Sequence, residues 1–513
     1  MVELKTNQAE AFKIAKDRNL ALIHDCGTGK TLTSLLAARY HRSIGNWPAL
    51  VITLPNLIES AWKEDADEFT PDLDVVSLCN KNPDRRYDIL KQDHDIFCVS
   101  PETFKNMYSK IADRGFKTMF IDESSKLKDH TSQYTRAVLA LSGFKSRAKG
   151  GVGFKVAGMP IQHRYALSGT PAPNSPIEYW SQVKLITGPG NQIFSDNFYS
   201  FRARFFYSVP IGLTGQNMWI FRKDTFEEFC YLLAQAVHVA RLEDVLDLPG
   251  YDIVHREVEL SQKERVAYNE MKHQCVLDFG TEKILSATAI TKVMKLRQLS
   301  SGFCYGNEDT YRVGSSKLNE LRSIIEEDRE DPLLIWVNFK EESRLLSQEI
   351  KDCVVLEGNN RDEIIKNFKA GKIRHLVANP QSAGHGLTFV NCCRDASYSQ
   401  NYSYELAIQA RRRIYRMGQI RRCKHNILIA KNTIDGPIRA AQLKKERMVN
   451  AFLECLVKIQ NGQTPDFNSA REIFSKSDRQ IISETTMPHL RDSREEGNFT
   501  NTESSLCVAG VFE

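Results

Sequence analysis

No C-x-x-C pair occurs in the 513 residues, and the 12 cysteines are scattered, so neither a disulfide framework nor a zinc site is indicated. No segment approaches the roughly 20 apolar residues of a membrane span, and the opening MVELKTNQAE lacks the apolar core of a secretory signal. No internal repeat is visible. Neither sign of charge dominates: 69 Lys and Arg against 64 Asp and Glu leave a net charge of +5, compatible with nucleic acid but equally a solubility device. These absences argue against disulfide-stapled, secreted and membrane-spanning classes. A reducing compartment fits, so the expected location is cytoplasmic. The adjacent Cys392 and Cys393 are expected in the core.

What is present has ordinary globular composition, 42% hydrophobic and 26% charged, at a length that suggests more than one domain. Strands rich in Val, Ile and Leu alternate with helical patterns twice. The first block holds ALVITLPN at 49–56, DIFCVSPETF at 95–104, TMFIDE from 118 and RYALSGTP at 164–171. The second holds PLLIWVNF at 332–339, CVVLEG at 353–358, RHLVANP at 374–380 and HNILIA at 425–430. This predicts an α/β protein of two doubly wound parallel-sheet domains. Residues 1–188 are expected to form the first and 249–456 the second. Residues 189–248, with the aromatic run FYSFRARFFY at 198–207, are expected to form a helical inter-domain region and strap. From 457 onward polar residues take over, predicting a loosely ordered tail.

Two strings in the first block carry chemistry. In HDCGTGKT at 24–31, Gly27 and Gly29 allow a tight turn between a buried strand and a helix. The loop Gly27, Thr28, Gly29 would then present backbone N–H groups and a helix N-terminus to an anion. Lys30 would neutralise the β- and γ-phosphates of a nucleotide, and the Thr31 hydroxyl would hold Mg²⁺. The usual first glycine is His24, and a plain glycine turn is the alternative. In TMFIDESSKLK at 118–128 an apolar strand ends in adjacent carboxylates. Asp122 would bind Mg²⁺ through water and Glu123 would activate the attacking water. Alone, an Asp-Glu pair after a strand often merely starts a solvated loop.

Further strings give the chain a resemblance to superfamily-two helicase motors of the Swi/Snf type, from about Leu4 to about Leu456. LKTNQ at 4–8 resembles the adenine-reading LRPYQ segment, with Gln8 in place and Lys5 and Asn7 replacing arginine and tyrosine. LVITLPN followed by Trp62 resembles motif Ia, DESSKLK the variant acidic box, and YALSGTPAPN motif III. The serine version, with Pro176, Ile177 and Glu178 after it, is similar to the annealing-helicase subgroup. RLEDVLDLPG at 241–250 resembles the inter-domain strap, LRQLSSGF at 296–303 its following helix, and LVANPQSAGHGLTF at 376–389 motif V, which adds Gly386 to the nucleotide contacts. QARRRIYRMGQ at 409–419 places Gln409, Arg413 and Arg416 at the offsets of the family's Q-x-x-x-R-x-x-R, with Arg412 and Tyr415 where aspartate and histidine are usual. A planar, permanently charged guanidinium can meet phosphate oxygens from another domain. A basic helix on a solvated face is the competing view of that arginine run.

The resemblance implies RecA-like domains, ATP and Mg²⁺ as cofactors, and an ATP-dependent motor acting on DNA without sequence preference. DNA would be touched through its phosphates by Thr53, Asn56, Ser100 and Thr170 in the first domain and by Asn338, Ser382 and Gly384 in the second. Each could equally cap a helix. The segment KSRAKGGVGFK at 145–155 exceeds what that connection needs. Phe154 among Lys145, Arg147, Lys149 and Lys155 is expected either to wedge a junction, with Lys149 and its neighbours on phosphates, or to be a surface insertion. A monomeric motor in replication, recombination or repair is the expectation. Its rivals are a superfamily-two RNA helicase and a catalytically silent scaffold.

Overall fold

Short apolar runs become two parallel sheets. The computed structural model describes residues 4–145, 153–156, 158–190, 193–210, 217–278, 283–285, 288–358, 360–383 and 386–473. The described residues divide into a first unit, drawn from 4–207, 219–247 and 448–473, and a second, drawn from 208–218 and 248–447.

The first unit is built on seven strands: β1 (Leu20–His24), β2 (Ala49–Ile52), β3 (Val75–Ser77), β4 (Ile96–Val99), β5 (Thr118–Asp122), β6 (His163–Ser168) and β7 (Val237–Ala240). Their order across the sheet is β3-β4-β2-β5-β6-β1-β7, and every pairing is parallel. A sheet covered by helices on both faces needs strands apolar on both sides, and the alternation of two separate cores shows it. Leu50, Ile52, Phe97, Val99, Met119 and Ile121 feed one cluster, while Ala49, Val51, Ile96, Cys98, Phe120 and Tyr165 feed the other. Helices α1 (Thr6–Asp17) and α2 (Lys30–Ser43) flank β1 in sequence.

The second unit repeats the plan with β8 (Tyr251–Val258), β9 (Leu333–Trp336), β10 (Cys353–Val355), β11 (His375–Ala378), β12 (Arg394–Ser397) and β13 (Cys423–Ala430). The order is β8-β13-β12-β9-β11-β10, again parallel throughout. Helix α3 (Tyr404–Arg411) follows β12, and α4 (Asp435–Gln460) follows β13. Residues of α4 through Arg447 belong to the second unit and those from Met448 to the first.

The segment 189–248 holds helices Phe198–Phe205 and Phe226–Ala234, and also β7, which lies beside β1 at the edge of the first sheet. Of the residues from 457, those to 473 are described, including a helix Phe467–Ile473. Cys392 and Cys393 are buried. Among the described residues no helix is long and apolar enough to cross a membrane. Because each sheet is parallel, all its strands end on one edge, and the loops there are where an open α/β sheet binds ligands.

Candidate nucleotide site and nucleic-acid interface

At that edge of the first sheet β1 runs into the glycine loop. Gly27 and Gly29 have φ of 88° and 86°, a left-handed backbone that only glycine adopts without cost, and Gly29 is the N-cap of α2. Thr28 is buried and its hydroxyl donates to the Asp25 carbonyl at 2.8 Å. The Lys30 ammonium is held at the loop by the carbonyls of His24 at 2.7 Å and Asp25 at 3.2 Å. Thr31 lies in the first turn of α2. Gln8, from α1, reaches the same loop: its amide lies 3.5 Å from the Thr28 carbonyl, and Asn7 donates to that oxygen at 3.3 Å. A Cβ on Gly29 would collide with the Gln8 amide nitrogen. Gly29→Ala is therefore expected to add about 1–2 kcal/mol of backbone strain and to expel Gln8. A thermal melt together with binding of a labelled ATP analogue checks both effects.

His24, at the position of the usual glycine, points away from solvent, fully buried, with Nε2 2.8 Å from His238 Nδ1 on β7. Burial, then the charges of His238 and Lys30, hold its imidazole well below the ordinary value, and burial lowers His238 to about 4. Both rings are neutral at pH 7, and the substitution is absorbed by the sheet interior.

Two strands away, β5 delivers the carboxylates. The register sets Ile52 beside Ile121 and Asp122 beside Leu167, which brings Thr53 level with Asp122. The Thr53 hydroxyl donates to Asp122 Oδ2 at 2.8 Å and the Trp62 indole N–H to the same oxygen at 3.1 Å. The Glu123 amide donates to Oδ1 at 3.1 Å. Burial raises the Asp122 carboxyl above its ordinary value and the charge of Glu123 adds to this, while the two side-chain hydrogen bonds and the charge of Lys30 oppose it. Glu123 adopts φ 54°, a conformation costing a non-glycine residue on the order of 1–3 kcal/mol and concentrated at functional sites. ATP and Mg²⁺ fit this arrangement, because the buried Asp122 carboxyl, raised by burial and by the charge of Glu123, suits a cation and the loop's donors and lysine suit an anion. Lys30, Gly27, Thr28 and Gly29 would hold the phosphates, Gln8 the base end, and Thr31 and Asp122 the metal.

The first unit also contains links that sequence reasoning missed. Ser124, next to the acidic pair, donates to Gln182 at 2.7 Å, and Gln182 donates to the Pro171 carbonyl at 2.7 Å. That ties the acidic box to motif III through a residue carrying no sequence signal. Trp62 stands beside motif Ia in sequence, but its bond to Asp122 joins the helical segment Ile58–Lys63 to the end of β5, 60 residues apart, and leaves no sequence pattern.

The expected DNA contacts divide. Asn56 and Ser382 are exposed. Ser100 instead accepts from the Thr103 amide at 3.1 Å, capping the helix Pro101–Asn106, which is the alternative its sequence position left open. Thr170 is buried, with its amide donating to Ser168 Oγ at 3.1 Å. Thr53 is 1% exposed, so its hydroxyl is engaged on Asp122 rather than presented to phosphate. Thr53→Val, which keeps the shape and removes the donor to a buried carboxylate, is expected to cost about 1.5–3 kcal/mol and leave DNA affinity alone. An unchanged melting temperature with weakened DNA binding would restore it as a contact.

The 145–155 segment also departs from expectation. Phe154 is half-buried, packed against the first unit's core with its ring edge-on to Tyr108 at 4.8 Å, and Tyr108 donates to the Lys155 carbonyl at 2.6 Å. Packed in this way, Phe154 anchors the described end of the segment to the core. Lys145 and Lys155 are exposed; Arg147 and Lys149 lie outside the described residues, as does Gly384.

In the second unit, motif VI is folded inward. Gln409, Arg411 and Arg413 are buried. Arg413 and Arg416 each donate an Nη1 hydrogen bond to the Leu387 carbonyl, at 3.3 and 3.1 Å, and the Phe389 amide donates to the Arg413 carbonyl at 2.9 Å. Gly386, φ 94°, precedes that shared carbonyl. The solvated-helix view of the arginine run does not describe these side chains. Asn338, at the end of β9, is half-buried, with its amide nitrogen 2.9 Å from both the carbonyl and the hydroxyl of Ser399.

Comparison with known proteins follows the same lines. The model of the SNF2-related domain matches residues 1–302, and that of the helicase conserved C-terminal domain matches residues 316–418. The p41 protein of Acyrthosiphon pisum secondary endosymbiont phage 1 is 25% identical over 84% of this chain and 93% of its own length. The Caenorhabditis elegans homologue of SWI/SNF-related matrix-associated actin-dependent regulator of chromatin subfamily A-like protein 1 is 25% identical over 83% of this chain and 58% of its own. An uncharacterized ATP-dependent helicase of Mycoplasma genitalium is 23% identical over 84% of this chain and 40% of its own. The chain thus spans nearly all of the phage protein and about half the length of the other two. The Sulfolobus solfataricus SWI2/SNF2 ATPase core, solved in complex with dsDNA, is 19% identical with a TM-score of 0.41, over 94% of this chain and 96% of that one. With a match covering more than half of its 513 residues, the chain belongs to the SNF2-related domain family.

Proposed function

We propose that this chain is an ATP-dependent DNA translocase or helicase that remodels branched or protein-bound DNA in replication, recombination or repair. The observation that carries the reading is the meeting, on one edge of one parallel sheet, of a glycine loop bearing Lys30 with the Asp122–Glu123 pair braced by Thr53 and Trp62. ATP would supply a phosphoanhydride whose hydrolysis releases free energy, and Mg²⁺ would supply charge neutralisation on its oxygens. The chain's own residues do the rest. Lys30 and the loop amides would orient the phosphates, Asp122 and Thr31 would hold the metal, and Glu123 would take a proton from water. By resemblance to the family's motif VI, Arg413 and Arg416 would answer the charge that develops during hydrolysis. Membership of the SNF2-related family and the names of its helicase and chromatin-regulator relatives support a motor over a silent scaffold.

The test is ATP turnover measured with forked DNA, Holliday junctions, plain duplex, single-stranded DNA and RNA. Stimulation by DNA, strongest on branched forms, is expected. Equal or greater stimulation by RNA would make it an RNA helicase, and no turnover on any substrate would make it a scaffold.

A further inference from the structure

Helix α4 carries Arg439, Gln442 and Glu446 at spacings of three and four, which places them on one face. At one end of that face Glu446 Oε1 accepts from Arg411 Nη2 at 2.7 Å. Arg411 is the last residue of α3, two before Arg413. At the middle, Gln442 Nε2 donates to the Asn401 carbonyl at 2.6 Å, and Asn401 Nδ2 donates to Asn338 Oδ1 at 2.6 Å. Arg439 completes the face, donating from Nη1 to Gln442 Oε1 at 3.3 Å and from Nε to His255 Nε2 at 3.2 Å. One helical face therefore touches the arginine-bearing helix on one side and, through a single intermediary, the strand-end asparagine proposed to meet phosphate on the other. All these residues belong to the second unit.

The contacts are buried enough to transmit position. Arg439 and Arg411 are 2% and 8% exposed, and the Glu446 side chain 15%. Burial opposes ionisation of Glu446, yet the charges of Arg411 and Arg439 hold its carboxyl below the ordinary value. In such surroundings a charge-assisted hydrogen bond is directional and its loss leaves two guanidiniums without their counter-ion. A polar network with fixed geometry specifies one arrangement of the elements it joins, which a solvated arginine run would not do.

We propose that Gln442 and Glu446 are positioning residues through which a phosphodiester backbone at Asn338 sets the placement of Arg413 and Arg416. The proposal rests on the DNA-motor reading above. Gln442 relays the nucleic-acid edge, and Glu446 acts on Arg413 through Arg411. Neither touches nucleotide.

Steady-state ATP turnover of the full chain, with and without duplex DNA, tests both links, with thermal melts of each variant alongside. Gln442→Met, similar in shape but without the amide, is expected to keep basal turnover and DNA affinity and to lose about tenfold of the DNA stimulation, a size of coupling within reach of such networks. Glu446→Gln is expected to lower kcat about tenfold with and without DNA while KM for ATP stays fixed. Because Glu446 acts through Arg411, the double variant Arg411→Met with Glu446→Met should be no slower than the slower single. That cycle also keeps the test valid should a lone charge change impair folding. Parental DNA stimulation in Gln442→Met, or additive losses in the cycle, overturns the proposal. Absence of DNA stimulation in the parent overturns the motor reading and the coupling with it, a distinct result.

Discussion

Glu123→Gln is expected to bind ATP as the parent does and to hydrolyse it about 10²–10⁴-fold more slowly, the range for loss of a positioned proton acceptor. Lys30→Ala is expected to fail earlier, at binding, so that the two variants differ in kind. Glu123 follows Asp122 at the end of β5 in a left-handed backbone, with its amide held by the Asp122 carboxylate. Glutamine has the same length and leaves that amide contact in place, but it cannot take a proton from water. Lys30 supplies the one cation whose charge is felt at both His24 and Asp122 among the groups that shift them. Removing it takes away a charge that opposes the raised Asp122 carboxyl and the counter-charge of the phosphates. Retention of a labelled ATP analogue separates the two defects, and phosphate release quantifies them. Normal turnover by either variant would end the assignment of that residue.

The strands legible in the sequence are mostly those buried on both faces, though the half-buried edge strand Cys353–Val355 is legible as well. ALVI, IFCV, TMFID and LLIW are continuous apolar runs ending in turn residues, and each is a strand within a few residues of its expected bounds. The strand Arg394–Ser397 is the counterexample. It lies between β9 and β13 although three of its four residues are polar. Its polarity is satisfied internally: Asp395 accepts from the Trp336 indole at 3.2 Å and lies 2.9 Å from His425 Nδ1, while Arg394 donates to the carbonyls of Asp328 and Ile324. Partners 30 to 70 residues away in sequence leave no local pattern. β7 escaped for another reason: VHVA is too short to stand out inside a helical stretch, and its pairing with β1 is long-range.

The same distinction runs through the site. Lys30, Asp122 and Glu123 announce themselves because glycines and carboxylates at a strand end have few other uses. Their supports do not. In sequence Thr53 is a strand-end hydroxyl, and only the β2–β5 register sets it against Asp122; the contact of Phe154 with Tyr108 is likewise long-range and leaves no local pattern. Gln442 and Glu446 sit in a stretch, AAQLKKERM, that reads as an ordinary amphipathic helix. Charge alone could not tell which arginines of 411–413 turn inward.

Arg413→Ala is expected to reduce hydrolysis by about 10³–10⁵-fold, the contribution of an arginine that reaches a phosphoryl transition state, while DNA affinity stays nearly unchanged. Arg413 is 5% exposed, and its guanidinium shares the Leu387 carbonyl with Arg416, so the backbone of the motif V segment holds both. Binding of ATP is assigned to Gln8, the 27–31 loop and Gly386, and DNA to strand-end and helix-start groups; neither set includes Arg413. Arg413→Lys is informative beside it, because the lysine keeps the charge but loses the planar fork and the pair of N–H vectors that let one group hold a carbonyl and still face an oxyanion. It should recover a small part of the rate. The measurement is single-turnover hydrolysis with DNA saturating, paired with DNA binding at matched salt, since phosphate contacts weaken steeply as salt rises. Parallel losses of hydrolysis and DNA affinity would make Arg413 a DNA contact instead, and full activity in the lysine variant would reduce its role to that of a simple point charge.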